Sequence, residues 1–169
     1  MRKDDEDVLE IAMYAKKLGF NSKTFLVTGA SGMIGQNLVK SLRKITDDSN
    51  IIVIGKDLEE LSNVFKDTKL NFSTFENLDS IKRNIDYVIH LASPTNSNYL
   101  SNCPVETIDF IYKSTKQLLD FSLSHKSSML YISSMEVYGY VDKDSKITEN
   151  ELGFIDLFNV RNISLLNDS

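Results

Sequence analysis

The stretch "TFLVTGASGMIGQNLV", residues 24–39, decides the fold. A β-branched and apolar run meets three glycines at a spacing of three, and an amphipathic pattern follows. That order spells strand, turn and helix. Gly29, without a Cβ, can turn tightly off the strand, and Gly32 lets the backbone approach a pyrophosphate. Gly35 lets the helix pack close to the sheet. Ser31, Met33 and Ile34 complete the turn and the first helical positions. Backbone N–H groups there face a bound phosphate, and the helix dipole favours its negative charge. Three glycines alone are weak evidence. Between an apolar strand and an amphipathic helix, opening a βαβ unit, they predict a dinucleotide cradle rather than a turn that binds nothing.

Outward from that stretch the chain alternates. Residues 23–28 predict a strand and 33–45 a helix; 51–55 predict a strand and 57–66 a helix. A weaker strand follows at 70–75, with a short helix near 78–83. Residues 86–92 predict a buried strand, a long helix runs from about Val105 to His125, and 128–134 is a strand again. Near-continuous apolar strands separated by helices argue a parallel sheet covered on both faces. Right-handed crossovers then give an α/β, doubly wound sheet of NAD(P)-binding Rossmann type, ordered 3-2-1-4-5. Beyond Ser134 the pattern dissolves into polar loop with one apolar cluster, "LGFIDLFNV" at 152–160, and no sixth strand is predicted. The sheet is thus expected to be incomplete at about five strands. The cluster is expected to cover core, or else to leave an exposed patch prone to self-association.

Residues 1–22 read as a helical extension ahead of a domain spanning 23–169. Val8, Ile11, Ala12, Ala15 and Leu18 fall at helical spacing, with acids early and lysines late, and Gly19 reads as the stop. Packing on the outside of the domain is the plain expectation, and a partner-binding helix is the alternative.

Composition narrows the function classes. At 169 residues the chain suits one domain with a single sizeable core. A net charge of −5 without a dense Lys/Arg cluster argues against nucleic acid. No apolar run approaches a membrane span, and the charged start "MRKDDEDVLE" does not resemble a signal peptide. With Cys103 as its single cysteine, the chain is expected in a reducing cytoplasm. No metal site is expected.

A dinucleotide fingerprint has a second part, an acid after the next strand that receives the adenosine ribose. Here that region reads "VIGKDLEE", and Asp57 lies 22 residues after Gly35 (57 − 35). Its carboxylate suits the ribose 2′-hydroxyl of NAD, whereas the preceding Lys56 suits the 2′-phosphate of NADP. NAD is the expected cofactor, with NADP the alternative. Asp57 has a second reading, as the N-cap of the following helix.

Three segments, "TGASGMIG", "IDYVIHLAS" and "LYISSMEVYG", occur in the order and approximate spacing of the extended short-chain dehydrogenase/reductases. The chain most resembles their nucleotide-sugar epimerase/dehydratase/decarboxylase branch, found in surface-polysaccharide synthesis, and the likeness runs from about Lys23 to Arg161. The resemblance implies that Leu91, Ala92 and Ser93 lie along the cofactor's ribose and diphosphate. It implies that Ser134 hydrogen-bonds the reacting sugar hydroxyl or carbonyl, and that Glu136 serves as acid or base. Without that likeness, Ser133 and Ser134 read as a strand-end turn and His90 as a core histidine without a catalytic part. Met135 stands where the sugar 4,6-dehydratases carry Asp, which argues against a dehydratase. The implied chemistry is hydride transfer from the sugar C4 and its later return, with a base removing the C4-hydroxyl proton.

In the family that base is the tyrosine of Tyr-x-x-x-Lys, its acidity raised by the lysine charge. Of the seven tyrosines here only Tyr112 has a lysine four positions on, Lys116, and it lies 22 residues before Ser134 (134 − 112) rather than beyond it, where the family carries the pair. Where relatives read Arg-x-x-Tyr-x-x-x-Lys, this chain reads "RNISLLNDS": Arg161 matches, Ser164 takes the tyrosine place and Asp168 the lysine place. A serine hydroxyl is a far weaker acid than a phenol, and Asp reverses the needed charge. Three readings follow: a truncated relic that binds the dinucleotide without turnover, an NAD(P)-binding regulatory or docking module, and an oxidoreductase whose base comes from another chain. Incomplete binding of a nucleotide-sugar and a homo- or hetero-oligomer with a full-length relative are the matching partner expectations.

Overall fold

The computed structural model describes residues 3–66, 68–139 and 147–150. At its centre β1 (Phe25–Thr28) is buried along its whole length. It pairs in parallel with β2 (Ile51–Ile54) on one side and β4 (Tyr87–His90) on the other. With β3 (Asn71–Ser73) and β5 (Ser128–Tyr131) outermost, the order is β3-β2-β1-β4-β5, as the alternation predicts. Register places Thr28 level with Ile54 and His90, so three strands end together at the carboxyl edge.

Alternation of side chains along each strand divides the core in two. Phe25 and Val27 join Ile51, Val53, Val39, Leu42 and Leu61 on one face. Leu26 joins Ile52, Ile54, Val88, Leu78, Leu118 and Phe121 on the other. The first layer is closed by α1 (Lys3–Lys17), α2 (Met33–Leu42) and α3 (Leu58–Val64), the second by α5 (Pro104–His125). Apolar runs such as "IIVI" follow from this, because both faces of a central strand are covered.

Several boundaries differ from the sequence reading for local reasons. The strand expected at 86–92 ends at His90, because the Ala92 N–H bonds the Thr28 hydroxyl instead of continuing the ladder. The strand expected over 128–134 ends at Tyr131, and the short helix near 78–83 is a 3-10 turn at Leu78–Ser80. A six-residue helix that the periodicity does not predict, α4 (Ser97–Asn102), precedes α5, capped by Asn96 accepting from the Tyr99 N–H. On α1, Val8 and Ala12 are buried and Ala15 packs beside them, but Ile11 is exposed. Leu18 is exposed too, since the helix stops at Lys17 before the left-handed Gly19.

From Ser133 onward the chain forms a second compact unit. Within it Met135–Tyr138 is a 3-10 turn, and the Val137 N–H donates to the Ser134 carbonyl. The apolar cluster at 152–160, together with Tyr140, Arg161, Ser164 and Asp168, lies outside the described residues. Within the first unit, Leu119 and Leu123 of α5 and Leu130 of β5 carry exposed side chains.

Candidate dinucleotide site at the carboxyl edge of the sheet

The three glycines are required for different reasons. Gly29 has φ +68°, left-handed backbone that penalises any side chain. A Cβ there would lie 2.7 Å from both the Ala92 nitrogen and the Leu91 carbonyl carbon. A Cβ on Gly35 would run into the Gly29 carbonyl oxygen and lie 2.5 Å from the Ala30 Cα, so α2 could not sit down on the strand end. Gly32 is unlike either. Its φ is −71°, and the nearest atom to a Cβ there would be the Gly29 oxygen at 3.4 Å. The fold leaves room for a side chain at Gly32; what benefits from its absence is whatever approaches from outside.

Gly32 is also the N-cap of α2, and no side chain caps that end. The first-turn N–H groups of a helix have no intrahelical partners, so this terminus offers donors and positive dipole charge outward. Gln36 braces the turn, its Nε2 donating to the Ser31 carbonyl at 2.7 Å.

In front of this terminus is a cavity of about 700 Å³, the size of a small-molecule site. Gly29, Ser31 and Gly32 form one wall, Gly55, Lys56 and Glu60 the next, and Leu91, Ala92 and Ser93 a third. Phe75, Glu76, Lys113, Ser114 and Gln117 close the remaining side. Sequence reading misses this last group. Phe75 and Glu76 follow the end of β3, so the strand-end rule could have found them. Lys113 and Gln117 sit mid-helix with no local signal. The Gln117 amide donates to the Phe75 carbonyl at 2.7 Å, and the Phe75 and Phe110 rings meet edge to face at 6.1 Å. Glu76 is held below the ordinary carboxylate range by its own backbone N–H and by the Thr74 hydroxyl. Lys113 pairs with Asp109 at 2.6 Å.

The remaining sequence-predicted residues take other places. Met33 and Ile34 expose their side chains, at 81% and 61%, leaving their backbone N–H groups for the site. Asp57 caps α3: its Oδ1 accepts from the Glu59 and Glu60 N–H groups at 2.8 and 3.2 Å. Of the two readings of Asp57, the N-cap is the one the hydrogen bonds carry, and Lys56 and Glu60 line the cavity beside it. Ser134 and Glu136 belong to the second unit.

Beneath the cavity His90 is buried at 2% exposure. Its Nδ1 meets the Thr28 hydroxyl at 2.7 Å and its Nε2 the Thr115 hydroxyl at 3.3 Å. The ring lies 5.5 Å from that of Tyr131. Burial pushes the imidazole below its ordinary value.

A doubly wound parallel sheet whose glycine turn opens onto a cavity at the carboxyl ends of its central strands defines a dinucleotide-binding α/β protein. The chain belongs to the NAD dependent epimerase/dehydratase family, whose model matches residues 25–154. It is 29% identical over 133 residues to ADP-L-glycero-D-manno-heptose-6-epimerase of Brachyspira hyodysenteriae, covering 68% of this chain and 38% of that protein. It is 27% identical over 126 residues to UDP-glucuronic acid decarboxylase 1 of Arabidopsis thaliana, covering 72% of this chain and 28% of that protein. The chain therefore spans well under half the length of these curated relatives. Among solved structures, the epimerase Mth375 of Methanothermobacter thermautotrophicus superposes with a TM-score of 0.70 at 20% identity, over 88% of this chain and 44% of the other. A UDP-glucose-4-epimerase from Stenotrophomonas maltophila, solved with bound NAD and formylated UDP-arabinopyranose, gives 0.63 at 19% identity over 77% of this chain and 42% of the other. At those identities the structural matches bear on the fold, and the family match implies a nicotinamide dinucleotide. Among the described residues no helix is long and apolar enough to cross a membrane.

Proposed function

We propose that this chain is the NAD-binding portion of an epimerase/dehydratase-type protein of nucleotide-sugar metabolism, and that these 169 residues hold the dinucleotide without turning over substrate. One observation carries the binding half: Gly32 lacks a side chain that the fold itself would tolerate, at an uncapped helix terminus facing a cavity. The diphosphate belongs at that terminus, and the adenosine half towards Lys56, Glu60, Phe75 and Glu76. Leu91, Ala92 and Ser93 line the path towards the nicotinamide. When bound, the dinucleotide supplies reversible hydride transfer. NAD is the proposed form, with the Glu60 carboxylate for the ribose hydroxyls and Asp57 holding the start of α3 beside it; Lys56 is the group that would accept NADP.

The catalytic half rests on chemistry. Ser134 is placed in the role of hydrogen-bonding the sugar hydroxyl and Glu136 in that of acid or base, and neither deprotonates the C4 hydroxyl in concert with hydride loss. That step needs a phenol acidified by a lysine; the one tyrosine here with a lysine four positions on, Tyr112 with Lys116, is exposed on α5 and lines no part of the cavity, and Lys116 pairs with Asp120 at 2.6 Å. Turnover then depends on a Tyr–Lys pair outside these residues, in a longer polypeptide or a second chain.

A second reading, an NAD(P)-responsive docking module, draws on α1. This helix precedes the family-matched residues and packs on the first core layer through Ala12, while Ile11, Tyr14 and Leu18 are exposed. A thermal-shift titration with NAD+, NADH, NADP+ and NADPH tests the binding common to both readings. Concentration-dependent stabilisation by NAD(H) is expected, and no shift with any of the four overturns it. Hydride exchange between labelled cofactor and UDP- or TDP-sugars tests the catalytic half, and turnover by this chain alone overturns the inactive reading.

A further inference from the structure

Phe110, Lys113, Ser114 and Gln117 of α5 line the cavity. Their spacing puts them on one face of the helix, and Leu118 and Phe121 hold that helix in the second core layer. The same cavity is lined by Phe75 and Glu76, where the chain leaves β3. That strand is three residues long, outermost, and paired with β2 alone. Beyond it a tight turn follows, in which the Asn77 N–H donates to the Thr74 carbonyl at 3.2 Å and the Leu78 N–H to the Phe75 carbonyl at 3.3 Å.

Two contacts reach this turn from α5. Gln117 Nε2, 42 positions on, donates to the Phe75 carbonyl at 2.7 Å, and the Phe110 ring meets the Phe75 ring edge to face at 6.1 Å. A carbonyl can only accept, so the amide must present its nitrogen, and no protonation state alters that assignment. Among the described residues this is the one hydrogen bond that ties α5 to residues 74–78. Leu78 is fully buried and anchors the far end of the turn. Loss of the Gln117 donor would therefore free Phe75 and Glu76 without unseating the turn from the core.

We propose that Gln117 is a positioning residue for the base-binding end of the cleft: by holding the Phe75 carbonyl from α5, it keeps the Phe75 ring and the Glu76 carboxylate where a purine meets them. This inference rests on the dinucleotide reading above, which puts the adenosine half there, and adds to it a residue that acts through its neighbours. A wall that is already fixed need not be ordered when the ligand arrives, and that saving in entropy appears as affinity.

The test uses the full chain and two variants close to glutamine in size. Gln117→Met keeps the length and loses the donor. Gln117→Glu sets a carboxylate against the carbonyl at neutral pH and regains a donor when protonated. Gln117→Met is expected to speed amide exchange at Asn77 and Leu78 about fivefold while leaving Gln36, in the first turn of α2, unchanged. It is expected to weaken ADP and NADH about fivefold in calorimetric titration. Gln117→Glu is expected to weaken both about tenfold at pH 7.5, and this deficit, taken against the unaltered chain at each pH, to shrink at least about twofold by pH 5. A merely space-filling Gln117 gives no such recovery. Unchanged exchange at Asn77 and Leu78 in Gln117→Met overturns the proposal, as does equal acceleration at Gln36. Unaltered affinity for ADP and NADH in both variants also overturns it and leaves the dinucleotide reading standing. If the unaltered chain binds none of ADP, NAD+, NADH, NADP+ or NADPH, the dinucleotide reading falls and takes the positioning role with it.

Discussion

Gly29 and Ala92 touch through main chain alone: a Cβ on Gly29 would lie 2.7 Å from the Ala92 nitrogen. The neighbouring Thr28 hydroxyl bonds that same nitrogen across 64 positions of sequence. The wall of the candidate cleft is therefore a contact between two strand exits, maintained by what one residue lacks and what its neighbour donates and accepts.

The glycines separate fold from binding. Gly29→Ala adds left-handed strain to a backbone collision, and Gly35→Ala lifts α2 from the strand end. Each is expected to cost about 3 kcal/mol, read as a fall in the urea midpoint. Gly32→Ala is expected to keep the midpoint within about 0.5 kcal/mol while weakening NAD+ more than tenfold, because its new methyl meets ligand rather than protein. Loss of stability and binding together in Gly32→Ala would defeat this division.

Asp57 is expected to act through α3. Asp57→Ala removes the acceptor of the Glu59 and Glu60 N–H groups and costs about 1 kcal/mol, whereas Asp57→Ser retains a cap and stays near the starting stability. NAD+ affinity is expected to survive Asp57→Ser and to fall about tenfold in Glu60→Gln, since Glu60 lines the cavity. Calorimetric titration decides, and the opposite ranking would return the ribose role to Asp57.

Stability is expected to depend on pH through His90. The folded imidazole is depressed by burial relative to the unfolded chain, so the folded state binds fewer protons. The contribution is whole above about pH 6.5, the unfolded value, and is lost as pH falls through the folded value. Chemical denaturation between pH 7.5 and pH 5 is expected to show a slope that His90→Asn reduces. An unchanged slope in that variant assigns the dependence elsewhere.

Ser122 of α5 is buried, and its hydroxyl has no hydrogen-bond partner among the described residues. Ser122→Ala removes an unsatisfied polar atom and improves helix propensity. A gain of about 1 kcal/mol is expected, seen as a rise in Tm of about 2–4 °C. A fall in Tm would mean that the hydroxyl has a partner in solution.

Much of the architecture is legible because its signals are local. Apolar runs such as "FLVT" and "IIVI" mark strands buried on both faces, and their alternation with amphipathic segments yields the strand order. The glycine turn is likewise written in consecutive residues. Legibility fails where a residue's role depends on distant neighbours. Asp57 reads in sequence both as a ribose ligand and as an N-cap, and only its hydrogen bonds to the Glu59 and Glu60 N–H groups show the cap. Helix α4 has no apolar period to announce it and is started by the cap at Asn96.

By itself, then, the sequence determined the order of elements, the parallel doubly wound sheet and the position of the glycine turn. These follow from side-chain periodicity and backbone freedom within a few residues. Only the tertiary structure decided why Gly29 and Gly35 are needed by the fold while Gly32 is not. It also turned His90 from a core histidine into the link between Thr28 and Thr115. Those roles are set by packing distances between segments that the chain keeps far apart, and no local pattern encodes a distance.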